Sequence, residues 1–450
     1  MHQAPEIPMT HNACTAGSEQ MGEQMGEQVS EQATMKKVMR RLIPFILLCY
    51  VVSYLDRINV GFAALTMNKD LGLTPSQFGL GAGLFFIGYF FFEIPSNLAL
   101  HRFGARMWIS RIMISWGLIS MLTAFVVGPK SFAAARFFLG MAEAGFTPGI
   151  YLYFTQWFPG QWRGKATAFF LIGIPVANII GSPMSGALME LHGMWDFKGW
   201  QILLLLEALP AVVLGVMCLF LLPDRPSRAN WLTPGEKQWL EGELATEQNM
   251  LTARHGNKLR DAFTNWRVFA LAGANFCGII GSLGIGLWLP QIIKEFGLPS
   301  HQVGLVAAVP YIAGAISMTV WARLANKSDR RLFYVAGAIV AAAVAIAISA
   351  FLHDPLLKML AITVAVASIL SFQATFWVIP SGFLTGRAAA GGLALIVSIG
   401  NLGGFVGPSM IGFIREATQG FTYPLIFVAG ALLLGAVITL ALGDPSRAKR

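Results

Sequence analysis

The sequence predicts an all-α integral membrane protein: twelve transmembrane helices in two six-helix, pseudo-symmetric bundles. Three observations predict it. Of 450 residues, 55% are hydrophobic and 12% charged, about half the charged share of a soluble domain, and the mean hydropathy is +0.61. Apolar runs of about 20 residues, the length that spans a hydrocarbon core, recur along the whole chain. One hydrophilic stretch, 223–266, divides them six and six.

The elements follow in order. Residues 1–35 hold the near-repeat QMGEQMGEQVSEQ, are polar and acidic, and contain no apolar stretch of the kind found in a signal peptide. They are expected to form a disordered cytoplasmic tail. The first bundle, 36–222, has spans near 41–64, 78–99, 107–127, 131–155, 166–189 and 200–222. In the linker, 223–266, a helix is expected from Thr233, with Pro234 in its first turn and Glu236 three residues on; it would brace the two halves. The second bundle and short tail, 267–450, have spans near 267–292, 302–324, 333–352, 357–380, 388–415 and 421–442.

Basic residues choose the orientation. Lys36, Lys37, Arg40 and Arg41 precede the first span, Arg102 and Arg106 follow the second, and Arg163 and Lys165 follow the fourth. Lys327, Arg330 and Arg331 follow the eighth, Arg387 the tenth, and Arg447, Lys449 and Arg450 end the chain. By the positive-inside rule both termini and the linker are cytoplasmic. The net charge of +9 therefore points to membrane topology and not to a nucleic-acid partner. Cys14, Cys49, Cys218 and Cys277 are scattered singly, without disulfide or zinc spacing.

The halves repeat one another weakly. GSPMSGALME (Gly181–Glu190) in the fifth span matches GPSMIGFIRE (Gly407–Glu416) in the eleventh, both reading Gly-x4-Gly-x3-Glu. Parallel six-span repeats are the organisation of transporters that rock two bundles about a central site.

Charges inside the spans mark that site. Each costs about 2.5–3.5 kcal/mol at a span centre on insertion scales. SYLDRINVGFA places Asp56 and Arg57 well inside the first span, about 100° apart around the helix, so they need not pair with each other. RFFLGMAEAGFTPGI places Arg136 and Glu143 seven residues apart in the fourth span, nearly two turns, on one face. Glu93 precedes Ile94-Pro95 in the second span and reads equally as a site residue or as support for a helix break; Glu207 lies near one third of the sixth. The second bundle has only neutral polar groups near its span centres, among them Asn275, Gln373 and Asn401. A carboxyl beside an arginine can gain or lose a proton when that contact opens, and arginine presents a planar fork to a carboxylate. Asp56 and Glu143 are thus the candidate proton-coupling acids, with Arg57 and Arg136 in the candidate substrate site. A fixed salt-bridge network joining the first and fourth spans is the structural alternative.

SYLDRINVGFA, EIPSNLALHRFGAR and RFFLGMAEAGFTPG together resemble the major facilitator superfamily over about residues 36–445. The likeness is closer to its anion:cation symporter branch, with the bacterial tartrate- and phthalate-type carboxylate carriers. The resemblance implies proton symport of a small organic anion into the cell across the inner membrane, by a monomer, with the proton as coupling ion and no other cofactor or metal. It implies that Asp56 and Glu143 take protons, that Arg57 engages the substrate carboxylate, that Arg136 partners the acid of the fourth span, and that Tyr89 and Asn401 contact substrate. Trp377 joins the candidate substrate-binding set, although neither it nor Tyr54 decides between a hydroxylated dicarboxylate and an aromatic acid. The basic loop motif implies gating roles for Arg102, Arg106, Asp329 and Arg330. The chain departs from that motif at His101, where the superfamily usually has an acid. Export or exchange of a metabolite or drug is the alternative. A membrane-embedded enzyme is the remote alternative: it would require a nucleophile, paired histidines or a metal constellation in the spans, and all seven histidines lie in tails, loops or span edges.

Overall fold

A computed structural model describes residues 12–253, 264–328, 331–377, 379 and 386–442, and among these every regular element is helical. The first half comprises α1 (Asn12–Asp70), α2 (Pro75–Phe103), α3 (Ala105–Thr123), α4 (Pro129–Glu143), α5 (Phe146–Trp157), α6 (Gly160–Leu171), α7 (Gly173–Leu188) and α8 (Gly199–Leu221). Then come α9 (Pro234–Ala253), α10 (Trp266–Lys294), α11 (Ser300–Lys327), α12 (Arg331–Phe351), α13 (Pro355–Phe376), α14 (Gly386–Asn401), α15 (Gly403–Thr418) and α16 (Thr422–Ala441).

Each half has six crossings. Ten of the twelve are long and apolar enough to span a bilayer by themselves. The other two are α3, which carries Arg106 and Arg111, and the α4–α5 pair, interrupted at Gly145. Gly145 has φ 88°, a left-handed conformation that glycine adopts freely, and a Cβ there would strike Ser96 on α2. The fifth crossing of each half is also broken, between α6 and α7 and between α14 and α15. Broken helices at repeat-related positions are characteristic of transporters built from two repeats.

Starts and stops follow local chemistry. Thr74 and Gln77 form a capping box on α2, Asn265 caps α10, and Asp354 caps α13. Thr233 and Glu236 cap α9 reciprocally, at 2.7 and 3.3 Å, where the sequence predicts a helix start. One expectation needs correction. The tail over 1–35 was expected to lack regular structure, yet α1 begins at Asn12; its Glu, Gln and Met residues are good helix formers, so the first span's helix extends through them. The linker helix α9 meets the first half through Lys37 with Glu236 at 2.8 Å and Arg163 with Glu247 at 3.2 Å, with Leu240 buried in that half's core.

We call the membrane face from which the first crossing starts and at which α16 ends the terminal face, and the other the far face. The halves touch closely in the far-face part of the membrane. A Cβ on Gly79 (α2) would strike the backbone of Pro408 (α15), one on Gly186 (α7) that of Ser300 (α11), and one on Gly61 (α1) that of Leu287 (α10). Glycines here let backbones approach. Beyond them the repeat-related glutamates cross over. Glu190 accepts from the backbone N–H of His301 and contacts its ring, while Glu416 accepts from the backbone N–H of Ser76 at 2.9 Å. Each therefore meets the first turn of a helix in the opposite half, where partial positive charge favours a carboxylate.

Candidate functional site

The interior of the first half holds the charged groups together. Span one is apolar enough to stay helical through Ser53-Tyr54-Leu55-Asp56-Arg57, and the 100° step sends the two charges to different neighbours. Arg57 turns to Glu143, the last residue of α4, donating through Nη2 at 2.6 Å and Nε at 2.9 Å to the same oxygen. Ser53, one turn earlier on α1, donates to that oxygen at 2.8 Å. Glu143 is fully buried, and its second oxygen has no partner. Arg57 is not fully buried: 14% of its side chain remains accessible. Its guanidinium lies 5.4 Å from the ring of Tyr54 and 5.5 Å from those of Phe85 and Tyr89, an aromatic cage of the kind that stabilises a cation.

Asp56 faces away from this pair. One of its oxygens accepts from Ser120 of α3 and from Asn59 at 3.2 Å, while the other is buried without a partner. Arg136 is 3% exposed, lies 5.1 Å from the Phe85 ring, and has an unpartnered Nε. It senses Asp56 and Glu143 electrostatically but has no carboxylate within 4 Å among the described residues. The resemblance assigned Arg136 to the acid of the fourth span, and the structure gives that acid to Arg57 instead. Arg57 reaches this acid from α1, with Ser53 one turn earlier donating to the same oxygen.

The remaining candidates separate. Tyr89 is buried, with its ring 5.5 Å from the Arg57 guanidinium. Asn401 is half-buried at the break between α14 and α15. Trp377 stands at the end of α13, 37% exposed and stacked edge-on to Phe376; it is not among the aromatic rings around Arg57. Arg102 and Arg106 are exposed on the terminal face, and Asp329 and Arg330 lie outside the described residues. Near the basic loop, Asp224 accepts from the backbone N–H of Arg106 at 3.0 Å, at the first turn of α3.

Sequence reasoning passed over three groups. Ser53 and Asn59 lie within one turn of Arg57 and Asp56 on α1, so helical spacing could have flagged them. Ser120 on α3 had no such signal. Glu93 proves to be a cross-half contact, accepting from Ser398 of α14 at 3.4 Å.

Residues 46–291 and 271–450 match the model of the Major Facilitator Superfamily. A "Putative tartrate transporter" of Agrobacterium vitis is 49% identical over 407 residues, covering 90% of each chain. A "Quinolone resistance transporter" of Acinetobacter baumannii is 42% identical, covering 89% of this chain and 92% of its own. Among solved structures, a bacterial homologue of the human lysosomal transporter Spinster aligns with a TM-score of 0.75 at 15% identity, over 92% of this chain and 98% of that one.

Proposed function

The chain belongs to the Major Facilitator Superfamily, and from that premise we propose that it imports a small organic carboxylate with protons, across a bacterial inner membrane, by alternating access. Both termini and the linker face the cytoplasm in this reading, because the basic loops collect on that side. The terminal face is then cytoplasmic and the far face, with its glycine seams, external.

One observation carries the reading: Arg57 is shared. Its guanidinium is held by a fully buried Glu143, yet remains partly accessible within an aromatic cage. A substrate carboxylate and Glu143 compete for the same fork. Protonating Glu143 removes its charge and releases Arg57 for the anion; losing the proton restores the pair and expels the anion. Asp56, held by Ser120 and Asn59 rather than by a cation, takes a second proton without occupying Arg57. Each net charge moved contributes about 2.3 kcal/mol per 100 mV, so potential-driven uptake needs more protons than substrate charges. Support for a carboxylate also comes from the relative named as a tartrate transporter.

The test uses proteoliposomes, tartrate as probe and an imposed inward proton gradient. The gradient is expected to accelerate uptake; equal uptake without it overturns symport. Glu143→Gln is expected to lose gradient-driven uptake while keeping tartrate exchange, and unchanged gradient-driven uptake removes Glu143 from the coupling role. A second reading, export, is favoured by the relative named for quinolone resistance. Loss of growth on tartrate in a deletion strain supports import, and heightened quinolone sensitivity supports export.

A further inference from the structure

The far-face end of the second half carries a polar cluster that the Arg57 site does not use. Arg415, in the last turn of α15, donates through Nη1 to Oε1 of Gln291 on α10 at 2.7 Å, and its Nη2 lies 3.6 Å from Glu295. The guanidinium stands 4.2 Å from the ring of Phe421 and 5.4 Å from that of Trp288. Its side chain is 22% accessible, whereas Gln291 is 7% exposed and its Nε2 is buried without a partner. The elements of the Arg57 site recur here: a partly accessible guanidinium, flanking aromatic rings and a carboxylate on one side. A donor that nothing satisfies is added to them.

The fold itself does not require a charge at this place. The Gly-x4-Gly-x3-Glu repeat aligns Arg415 with Met189, which is buried in the first half. Their neighbours Glu416 and Glu190 both cross to the opposite half, so the seam contact is common to the repeats and the arginine is not. An unpaired buried amide donor is costly to keep, and a guanidinium bonded to one neutral amide has N–H groups to spare. A carboxylate satisfies both. Gln291 lies three residues before the far-face end of α10, and Arg57 thirteen before that of α1. At 1.5 Å per residue the cluster is about 15 Å nearer the far face. Contacts between the halves close the way in, with Phe78 of α2 edge-on to Trp288 at 5.1 Å and Gly61 against Leu287.

Building on the import reading above, we propose that Arg415 and Gln291 form an outer docking site for the substrate carboxylate, occupied before the anion passes inward to Arg57. When the halves part, Phe78 leaves Trp288 and the cluster opens toward the entering anion. The guanidinium and the free Gln291 N–H then hold the carboxylate between them, while Trp288 and Phe421 flank the cation. Glu295 compensates the charge once the anion has moved on. No proton or covalent bond changes here: the site is a fixed charge that gathers anions at the entrance and selects carboxylates by its planar fork. Only entry from the far face uses it.

The test follows tartrate exchange in right-side-out and inside-out membrane vesicles, so that each face is read separately and no proton gradient enters. Arg415→Met, which copies the first-half residue, is expected to raise KM in right-side-out vesicles about tenfold, the loss of one charge-assisted contact, with kcat within about twofold. KM in inside-out vesicles should not move. Arg415→Lys keeps the charge without the fork and should recover part of the loss. Gln291→Met removes the orphan donor at similar length and should raise the same KM about threefold. A role confined to bracing α15 against α10 would shift the balance between the open faces and so move both KM values. An unmoved KM in right-side-out vesicles, or a shift in both orientations, overturns the inference; if Arg415→Met does not fold, the same results in Gln291→Met overturn it. Either result strikes the outer site alone. Wild-type vesicles that exchange no tartrate in either orientation overturn the carboxylate reading, and this inference with it.

Discussion

The two halves share a topology and differ in what they bury. In the first, Asp56, Arg136, Glu143 and Glu207 are all nearly inaccessible, and each has a polar atom without a partner. In the second, the buried polar groups are neutral, and most close onto nearby backbone. Ser349 donates to Ile346, Thr375 to Ser371, Thr439 to Gly435, and Asn275 to Ile396 across to α14. Among the described residues, the only orphan buried side-chain atom there is Gln291 Nε2, whose side-chain oxygen already accepts from Arg415. A satisfied polar group has one stable arrangement; an orphaned charged one changes state when a proton or an anion arrives. On the proposed proton-coupled reading, the second half is a fixed wall and the first the part whose charge can vary.

The sharpest way to break that contrast is to remove one cation. Arg57→Ala leaves Glu143 fully buried with only Ser53 as a donor. Stripping one partner from a buried pair costs about 3–5 kcal/mol, so a lower thermal midpoint and no measurable tartrate uptake are expected. The second-half counterpart, Asn275→Ala, removes one neutral hydrogen bond worth about 1 kcal/mol, and uptake should keep its dependence on the gradient. If Asn275→Ala uncouples uptake from the gradient while Arg57→Ala does not, the division of labour is wrong.

The next test concerns the seam, where the halves are alike. Gly79 meets Pro408, and Gly186 meets Ser300, at repeat-related interfaces. Leucine at either position overpacks a tight contact, a change worth about 1–3 kcal/mol, or roughly tenfold in the balance between closed and open far faces. Labelling of a cysteine placed at Ser300 by a membrane-impermeant maleimide should rise by that factor in both variants. Cys49, Cys218 and Cys277 are buried, so a Cys14→Ser background suffices. A rise in one variant only would show that the two seams do not open together.

Much of this was legible in the sequence, because hydropathy and charge are local properties. The spans, the split at 223–266, the charged first half and the Gly-x4-Gly-x3-Glu repeat all came from residue type and spacing. The divergence of Asp56 and Arg57 followed from the helical step alone, and the structure sends them to Ser120 and Glu143 respectively. Partner choice was not legible. Helical periodicity assigns a face but not the neighbouring helix, so it set Arg136 and Glu143 on one face without showing that Arg57 of α1 holds the acid. Those pairings depend on contacts between segments far apart in sequence, such as Arg57 with Glu143.

The smallest expected effect lies at the far-face glutamates. Glu190, from the first half, reaches the first turn of α11, and Glu416, from the second, reaches the first turn of α2. The hydrogen bond from His301 holds the Glu190 carboxyl below the usual carboxylate range, against a small opposing effect of desolvation. A lowered folded value means that the contact is complete above the ordinary carboxylate pKa of about 4.3 and is lost only as the pH falls through the still lower folded value. Between pH 7 and 5 it should therefore not weaken. Glu190→Gln removes the charge but keeps the shape. Exposed ion pairs contribute little, so Ser300→Cys labelling should rise by less than about threefold, in a constant ratio to the parent across that range. Glu416→Gln should match it, since both glutamates occupy the same repeat position and do the same work. A ratio that converges toward one by pH 5 would show that Glu190 loses its charge in this window. The seam would then differ between the halves as their interiors do, and closure of the far face would itself respond to the proton.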